Sequence, residues 1–287
     1  MFYYNNKENL FDLLLESRKF ILMIWDISKI SVPVFDIKKS KEFYNFILND
    51  NKSKSNIIEN EDECFIGNGD CQLRLYKLKQ NLSLQSRRTF PTISVKNLQS
   101  KIDIFKKNKV NFKILDQKLN TILIQETSLN YIELVDFNEF NKINISQEFT
   151  NWGFHHINLE SYNVIRSVNF FKKFLNMKEG SWETPETLGD VNIKKTQLAI
   201  FPSNKKHGGL HINKADFTFN WRNKFIHNPT IGGHPAFSVR NIKEFIAKLK
   251  KYKISFTDAK IYAMPEIYQV YLYDPNANVI EINQSIG

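Results

Sequence analysis

Four stretches of the chain share one pattern of apolar and polar positions. Each opens with a short apolar run, turns a polar corner, and continues with apolar residues every three or four positions. They are ISVPVFDIKKSKEFYNFIL (30–48), FPTISVKNLQSKIDIFKKNKV (90–110), HHINLESYNVIRSVNFFKKFL (155–175) and HPAFSVRNIKEFIAKLKKYKI (234–254). The short run predicts a strand, and the wider spacing predicts an amphipathic helix. Ile37, Tyr44, Ile47 and Leu48 keep helical spacing in the first stretch. Val164, Val168, Phe171 and Leu175 do so in the third, and Ile242, Phe245, Ile246 and Leu249 in the fourth. Asp36, Asn97, Asn163 and Asn241 each stand one residue before a branched apolar residue. That is where a side-chain oxygen satisfies the free backbone N–H groups of a helix start.

Short strand-like segments follow each helix. CQLRLYKL and NYIELVDF close the first two units, QLAIF with GLHINKA the third, and QVYLYD with NVIEINQ the fourth. Each unit therefore reads βαβββ, and repetition of one unit sets the architecture. The third unit carries the longest insertion, between about Ser181 and Gly233, with the loop-like segments SWETPETLGD and NWRNKFIHNPTIGG. A polar connector, FNKINISQEFTNW, parts the units into two pairs. The expectation is an α+β protein of four βαβββ units in two modules, over 27–146 and 152–287. Before them, Leu10, Leu13, Leu14, Phe20 and Ile24 predict an amphipathic helix within an N-terminal extension over 1–26.

Composition removes several function classes. The net charge is +10, but the lysines are dispersed, and the densest run (Lys248, Lys250, Lys251, Lys253) ends a predicted helix. Cations there complement the helix dipole, so no nucleic-acid partner is expected. Cys64 and Cys71, in CFIGNGDC, fit neither a zinc ribbon nor a disulfide framework. No apolar run reaches membrane length, and the N-terminus lacks the basic start and small-residue cleavage site of a secretory signal. The expectation is a cytoplasmic protein with no membrane partner and a small-molecule substrate. Self-association as a homo-oligomer stays open.

The candidate chemistry lies in His156 of GFHHINLE, His234 of GGHPAFSV and Glu281 of DPNANVIEINQ. Two imidazoles and one carboxylate suit a three-point divalent metal site with open positions. All three sit at strand edges of the repeated units, so a symmetric fold brings them together. The plainer alternative is three ordinary strand-edge groups. His155 is expected on the opposite face by alternation. Gly232 and Gly233 either let the backbone approach the metal or form a turn. His227 is expected at a pocket mouth, and Trp182, Phe219, Trp221, Tyr262 and Tyr268 are candidates for an aromatic wall.

The phrases HHINLE, GGHPAFSVRNI and YLYDPNANVIEINQ, in a chain of two paired modules, resemble the vicinal oxygen chelate superfamily. That superfamily includes glyoxalase I, bleomycin-resistance proteins and the extradiol dioxygenases. The two-module length resembles the type I extradiol dioxygenases most. The resemblance implies a divalent metal on His156, His234 and Glu281, Fe(II) first, with Mn, Zn, Ni or Co as the other candidates. It implies that Tyr271 hydrogen-bonds the substrate. It leaves His211, in GLHINKA, as either a fourth ligand or an acid/base. The corresponding first-module positions, Lys29, Phe90 and Glu133, imply no metal there. Two departures stand out: Tyr262, Ala263 and Met264 occupy the window of a family histidine, and Ala277 replaces a preferred glycine. The implied function is a metal-dependent oxidoreductase, similar to extradiol ring-cleaving dioxygenases, acting on a small substrate with vicinal oxygens. The alternatives are a glyoxalase- or epimerase-like metalloenzyme without dioxygen, and a non-catalytic small-molecule binding protein.

Overall fold

All four expected helix caps form. In the computed structural model, the side chains of Asp36, Asn97, Asn163 and Asn241 accept from the backbone N–H three residues on. The structure describes residues 25–49, 55–68, 71–78, 89–116, 121–136, 152–183, 194–203 and 208–286. The expected N-terminal helix and most of the connector lie outside the described residues. The capped helices are α1 (Ile37–Leu48), α2 (Leu98–Lys107), α3 (Val164–Leu175) and α5 (Ile242–Lys251); a short α4 (Phe219–Arg222) lies in the long insertion. Tyr44, Ile47 and Leu48 of α1 are buried, as are Val164, Val168, Phe171 and Leu175 of α3, so the apolar stripes face the sheets.

The strands form two mixed sheets. The first contains β1 (Trp25–Val34), β2 (Ile57–Glu59), β3 (Glu63–Asn68), β4 (Cys71–Lys77), β5 (Phe90–Val95), β6 (Phe112–Asp116), β7 (Thr121–Gln125) and β8 (Tyr131–Asp136). Its order is β2-β3-β4-β1-β5-β8-β7-β6. The second contains β9 (Trp152–Ser161), β10 (Leu198–Pro202), β11 (Gly209–Lys214), β12 (His234–Val239), β13 (Phe256–Ile261), β14 (Ile267–Tyr273) and β15 (Val279–Ser285). Its order is β10-β11-β9-β12-β15-β14-β13. Each sheet pairs the first strands of its two units antiparallel at the centre. Each then pairs the last strand of a unit parallel to its first. The fold is the expected α+β arrangement. Trp25 and Asp26 already belong to β1. The third unit has two strands after its helix among the described residues, β10 and β11, with part of the long insertion following them.

The pseudo-symmetry extends to irregularities. On β9, His156 pairs with Ala236 and Phe154 with Phe237, so His155 is the extra residue of a bulge. On β1, Lys29 pairs with Thr92 and Ile27 with Ile93, so Ser28 holds the same place. A bulge beside a functional position re-aims its side chains.

The modules meet through reciprocal contacts. The β14–β15 turn docks on α1: Tyr44 donates to Asp274 Oδ2 at 3.1 Å, and Asn276 donates to Ser40 Oγ at 2.9 Å. The β7–β8 turn docks on α3: Ser167 donates to Glu126 Oε2 at 2.9 Å, and its hydroxyl lies 3.0 Å from Ser128. A single apolar cluster, from Ile30 and Val32 to Ile280 and Ile282, runs through both halves. Cys64 is buried and Cys71 half-buried, and Cys71 Sγ accepts from the backbone N–H of Phe154 at 3.2 Å. No helix among the described residues is long and apolar enough to cross a membrane.

Candidate metal centre

The central strand pair of the second sheet carries the first two site residues, and β15 beside it carries the third. Ala236 is in register with His156 on one side and Glu281 on the other, while His234 stands opposite Asn158. Their ligand atoms lie within 4.8 Å of one another, and all three residues are buried. Glu281 Oε2 is 3.4 Å from His156 Nε2 and 3.3 Å from His234 Nε2. Its other oxygen, Oε1, accepts from Gln269 at 3.1 Å and Asn283 at 3.3 Å. One carboxylate oxygen is thus held by amides while the other faces the imidazoles. Burial alone would raise the Glu281 carboxyl, but the two histidines outweigh it and hold it well below the usual carboxylate range. Burial lowers His234 from its ordinary value, which keeps its ring neutral, the form that binds metal. Two imidazole nitrogens and one carboxylate oxygen, buried and converging, fit a divalent cation.

The bulge explains an arrangement that simple alternation misses. His155 does not turn to the opposite face. Its Nδ1 lies 2.8 Å from Nδ1 of His156. One nitrogen of this pair carries the proton and the other accepts it. A metal on Nε2 of His156 would make its Nδ1 the donor and His155 the acceptor, and so fix the ring's tautomer.

His211 lies on β11 with its ring stacked on His156, centroids 3.9 Å apart and planes at 19°. The group of converging ligand atoms consists of His156, His234 and Glu281 among the described residues. His211 therefore flanks the triad. Trp182 packs edge-on against it at 4.9 Å and donates to the carbonyl of Ala263. Tyr271, opposite Glu281 on β14, is buried; its hydroxyl accepts from Gln269 at 2.9 Å, and its ring meets His234 at 5.8 Å. Burial, reinforced by the Glu281 charge, raises the phenol well above its ordinary range, so it remains a neutral donor.

These residues share a cavity of about 800 Å³ with Asn158, Asn213, Phe217, Phe219 and Tyr262. Of the expected aromatic wall, Trp182, Phe219 and Tyr262 line it. Trp221 instead points outward, 80% exposed, and Tyr268 hydrogen-bonds Asp258 away from it. His227 is not at the mouth either. It is buried behind, with Nδ1 2.9 Å from Thr257 Oγ1 and its ring 4.4 Å from that of Tyr273. Gly233 has a positive φ, and a Cβ there would meet the Asn158 carbonyl at 2.4 Å. Its need is close packing of the His234 strand entry against β9, not approach to a metal. Sequence reasoning did not single out Gln269, Asn283, Asn158 or Asn213. The available signal was period two: Gln269 shares the face of Tyr271, Asn283 that of Glu281, and Asn213 that of His211.

Register identifies the first-module counterparts as well. Lys29 matches His156, Phe90 matches His234, Glu133 matches Glu281, and Arg74 matches His211. Lys29 Nζ lies 3.2 Å from Glu133 Oε1, Thr92 donates to Glu133 Oε2 at 3.0 Å, and Arg74 approaches at 3.8 Å. Side-chain cations meet the carboxylate there.

The fold is shared with solved structures of vicinal oxygen chelate proteins. The chain superposes on a Mn(II)-bound glyoxalase from Novosphingobium aromaticivorans with a TM-score of 0.61 and 13% identity, covering 91% of this chain and 82% of that one. A catechol 2,3-dioxygenase gives a TM-score of 0.61 and 10% identity, over 90% and 93% of the two chains. A 2,2',3-trihydroxybiphenyl 1,2-dioxygenase from Sphingomonas wittichii strain RW1 gives 0.61 and 12%, over 91% of each. No family model matches the sequence, and no curated protein does. The class defined here is thus the two-module vicinal oxygen chelate fold.

Proposed function

We propose that this chain is a metal-dependent enzyme of the extradiol ring-cleaving type, acting on a catechol-like substrate whose two adjacent oxygens bind beside His156, His234 and Glu281. What supports this reading is that the atoms of His156, His234 and Glu281 converge as a group that could hold a metal, with His211 stacked beside His156. His156, His234 and Glu281 would hold the metal, and three protein ligands would leave room beside it for the substrate's two oxygens. A metal bound there supplies Lewis-acid stabilisation of developing oxyanions and a meeting point for both reactants.

The chain's own residues do the rest. His211, an imidazole able both to accept and to donate a proton, takes a hydroxyl proton from the substrate and later returns one. Its stacking on His156 and the edge of Trp182 fix the plane in which it acts. Tyr271 stays protonated and offers its hydroxyl to a substrate oxygen in the cavity. Gln269 holds both Tyr271 and the outer oxygen of Glu281, coupling donor and ligand. Trp182, Phe219 and Tyr262 give the cavity an aromatic lining against which a ring can pack.

The test is anaerobic loading with Fe(II), followed by oxygen-electrode measurements with a panel of catechols. Oxygen consumption in step with loss of the catechol is expected. The similarity in fold to a Mn(II)-bound glyoxalase motivates the second reading, a proton-moving lyase or isomerase. Absence of oxygen uptake across the panel, with Mn- or Ni-dependent turnover of a glyoxalase substrate, would replace the first reading with the second.

A further inference from the structure

The segment around α4 walls one side of the cavity and turns a second, apolar face to solvent. Residues 216–230 form a compact loop pinched at its neck. Asp216 N–H donates to Thr230 Oγ1 at 3.1 Å, and the Asp216 carbonyl accepts from Asn228 Nδ2 at 2.9 Å. The inner side of the loop is filled. Phe219 and Phe225 pack edge-on against the Tyr262 ring, at 5.9 and 5.1 Å, and Asn223 accepts from the Tyr262 hydroxyl at 2.6 Å. Three large apolar side chains are left outside. Phe217 and Trp221 are each 80% exposed, and Ile226 is 60% exposed. Single exposed apolar residues are ordinary, but three on one short loop mark an interaction surface. Trp221 and Ile226 share an outer groove of about 810 Å³ with Arg222 and Lys224. Phe217 and Arg222 also line the cavity that holds the triad, so this face adjoins its mouth. Charge narrows the partner. Along 214–230, Lys214, Arg222 and Lys224 stand against a single carboxylate, Asp216, in a chain of net charge +10.

We infer that this loop docks on an anionic lipid bilayer, with Phe217, Trp221 and Ile226 entering the headgroup region and the neighbouring cations meeting lipid phosphates. An indole is at home there, because its ring is apolar while its N–H stays hydrated. Long cationic side chains lie along an apolar wedge and keep their charge at the surface. Lack of a membrane-length apolar run bears on spanning, not on attachment of this kind. The filled inner side and pinched neck hold the three side chains outward before any contact, so docking orders little. Docking here sets the cavity mouth against the lipid, the phase in which an apolar aromatic compound concentrates. The inference does not depend on the metal chemistry, and its test reads binding without turnover.

The experiment sediments the full chain with vesicles of phosphatidylcholine, alone or mixed with phosphatidylglycerol. Pelleting with the mixed vesicles, weakening as salt is added, is expected. The double variant Trp221→Ser with Ile226→Ser should lower the partition coefficient by roughly tenfold or more, since it removes most of the apolar wedge. Lys224→Gln should lower it by roughly fivefold, the scale of one cation at an anionic surface. Thermal unfolding should stay unchanged in both, because all three residues are exposed. Brominated lipids should quench the native fluorescence. Trp221→Phe should still bind but lose that quenching, since Trp25 and Trp152 are buried. Failure of the native chain to pellet with anionic vesicles would overturn the inference. So would pelleting that the double variant leaves unchanged, because another basic surface would then hold the lipid. A dimer in light scattering that the double variant dissolves, without vesicle binding, would assign the face to a second copy of the chain instead.

Discussion

Lys29 Nζ sits 3.2 Å from Glu133 Oε1, on the register positions that His156 and Glu281 hold in the other sheet. An ammonium group meets the first-module carboxylate where the second module presents histidine nitrogens. Replacing Lys29 by Met leaves Glu133 buried with Thr92 and a more distant Arg74. The expected loss is about 2 kcal/mol by urea unfolding, below the full cost of stripping a buried pair because Arg74 remains. The double change Lys29→His with Phe90→His restores the missing donors. A second equivalent of divalent metal in a titration is the expected result.

His211 separates a ligand role from a proton-handling one. Since it stacks on His156 and stands outside the converging atoms, His211→Asn leaves metal affinity within about threefold while turnover falls by roughly 10²–10⁴, the range for losing a general acid–base group. Metal affinity by competition with a chromogenic chelator, set beside turnover, gives the answer. A large loss of affinity would make it a fourth ligand.

His227 makes stability depend on pH. Burial lowers it from 6.5 to about 4. Above pH 6.5 it is neutral in both folded and unfolded chains and adds no dependence. As pH falls below 6.5, the unfolded chain takes up a proton that the folded chain refuses, so stability drops until about pH 4. Between pH 6.5 and 5 the loss is about 1–2 kcal/mol. Urea midpoints of the native chain and His227→Gln should diverge in slope over that window.

The reciprocal turn-to-helix contacts tie the halves together. Tyr44→Phe removes the hydroxyl that donates to Asp274, and Ser167→Ala removes the one that donates to Glu126. Asp274 keeps the amides of Asn276 and Asn278, so each change is expected to cost about 1 kcal/mol. The sites share no partner, so the double variant should show an additive loss in thermal unfolding.

The repeated strand-corner-helix unit made the fold legible, because each copy signals its helix twice, by a cap and by an apolar stripe. His156, His234 and Glu281 were legible because they recur at equivalent points of those units. What escaped depends on local geometry that periodicity does not encode. The bulge brings His155 beside His156, where strict alternation separates them. His227 sits in a Gly- and Pro-containing stretch that reads as surface, yet Thr257 and Tyr273 draw it inward. Trp221 has the composition of a cavity wall but falls on the outer side of α4. The amides of Gln269 and Asn283 gain meaning only once Glu281 lies between them.

The central claim is that His156, His234 and Glu281 hold one divalent metal. Elemental analysis of the chain purified without chelator, repeated for Glu281→Gln, tests it most directly. One equivalent of metal in the native chain, lost in Glu281→Gln while the circular dichroism spectrum is unchanged, is the predicted result. A native chain that neither carries nor takes up a divalent metal, or a Glu281→Gln variant that retains it at full occupancy, would contradict the account.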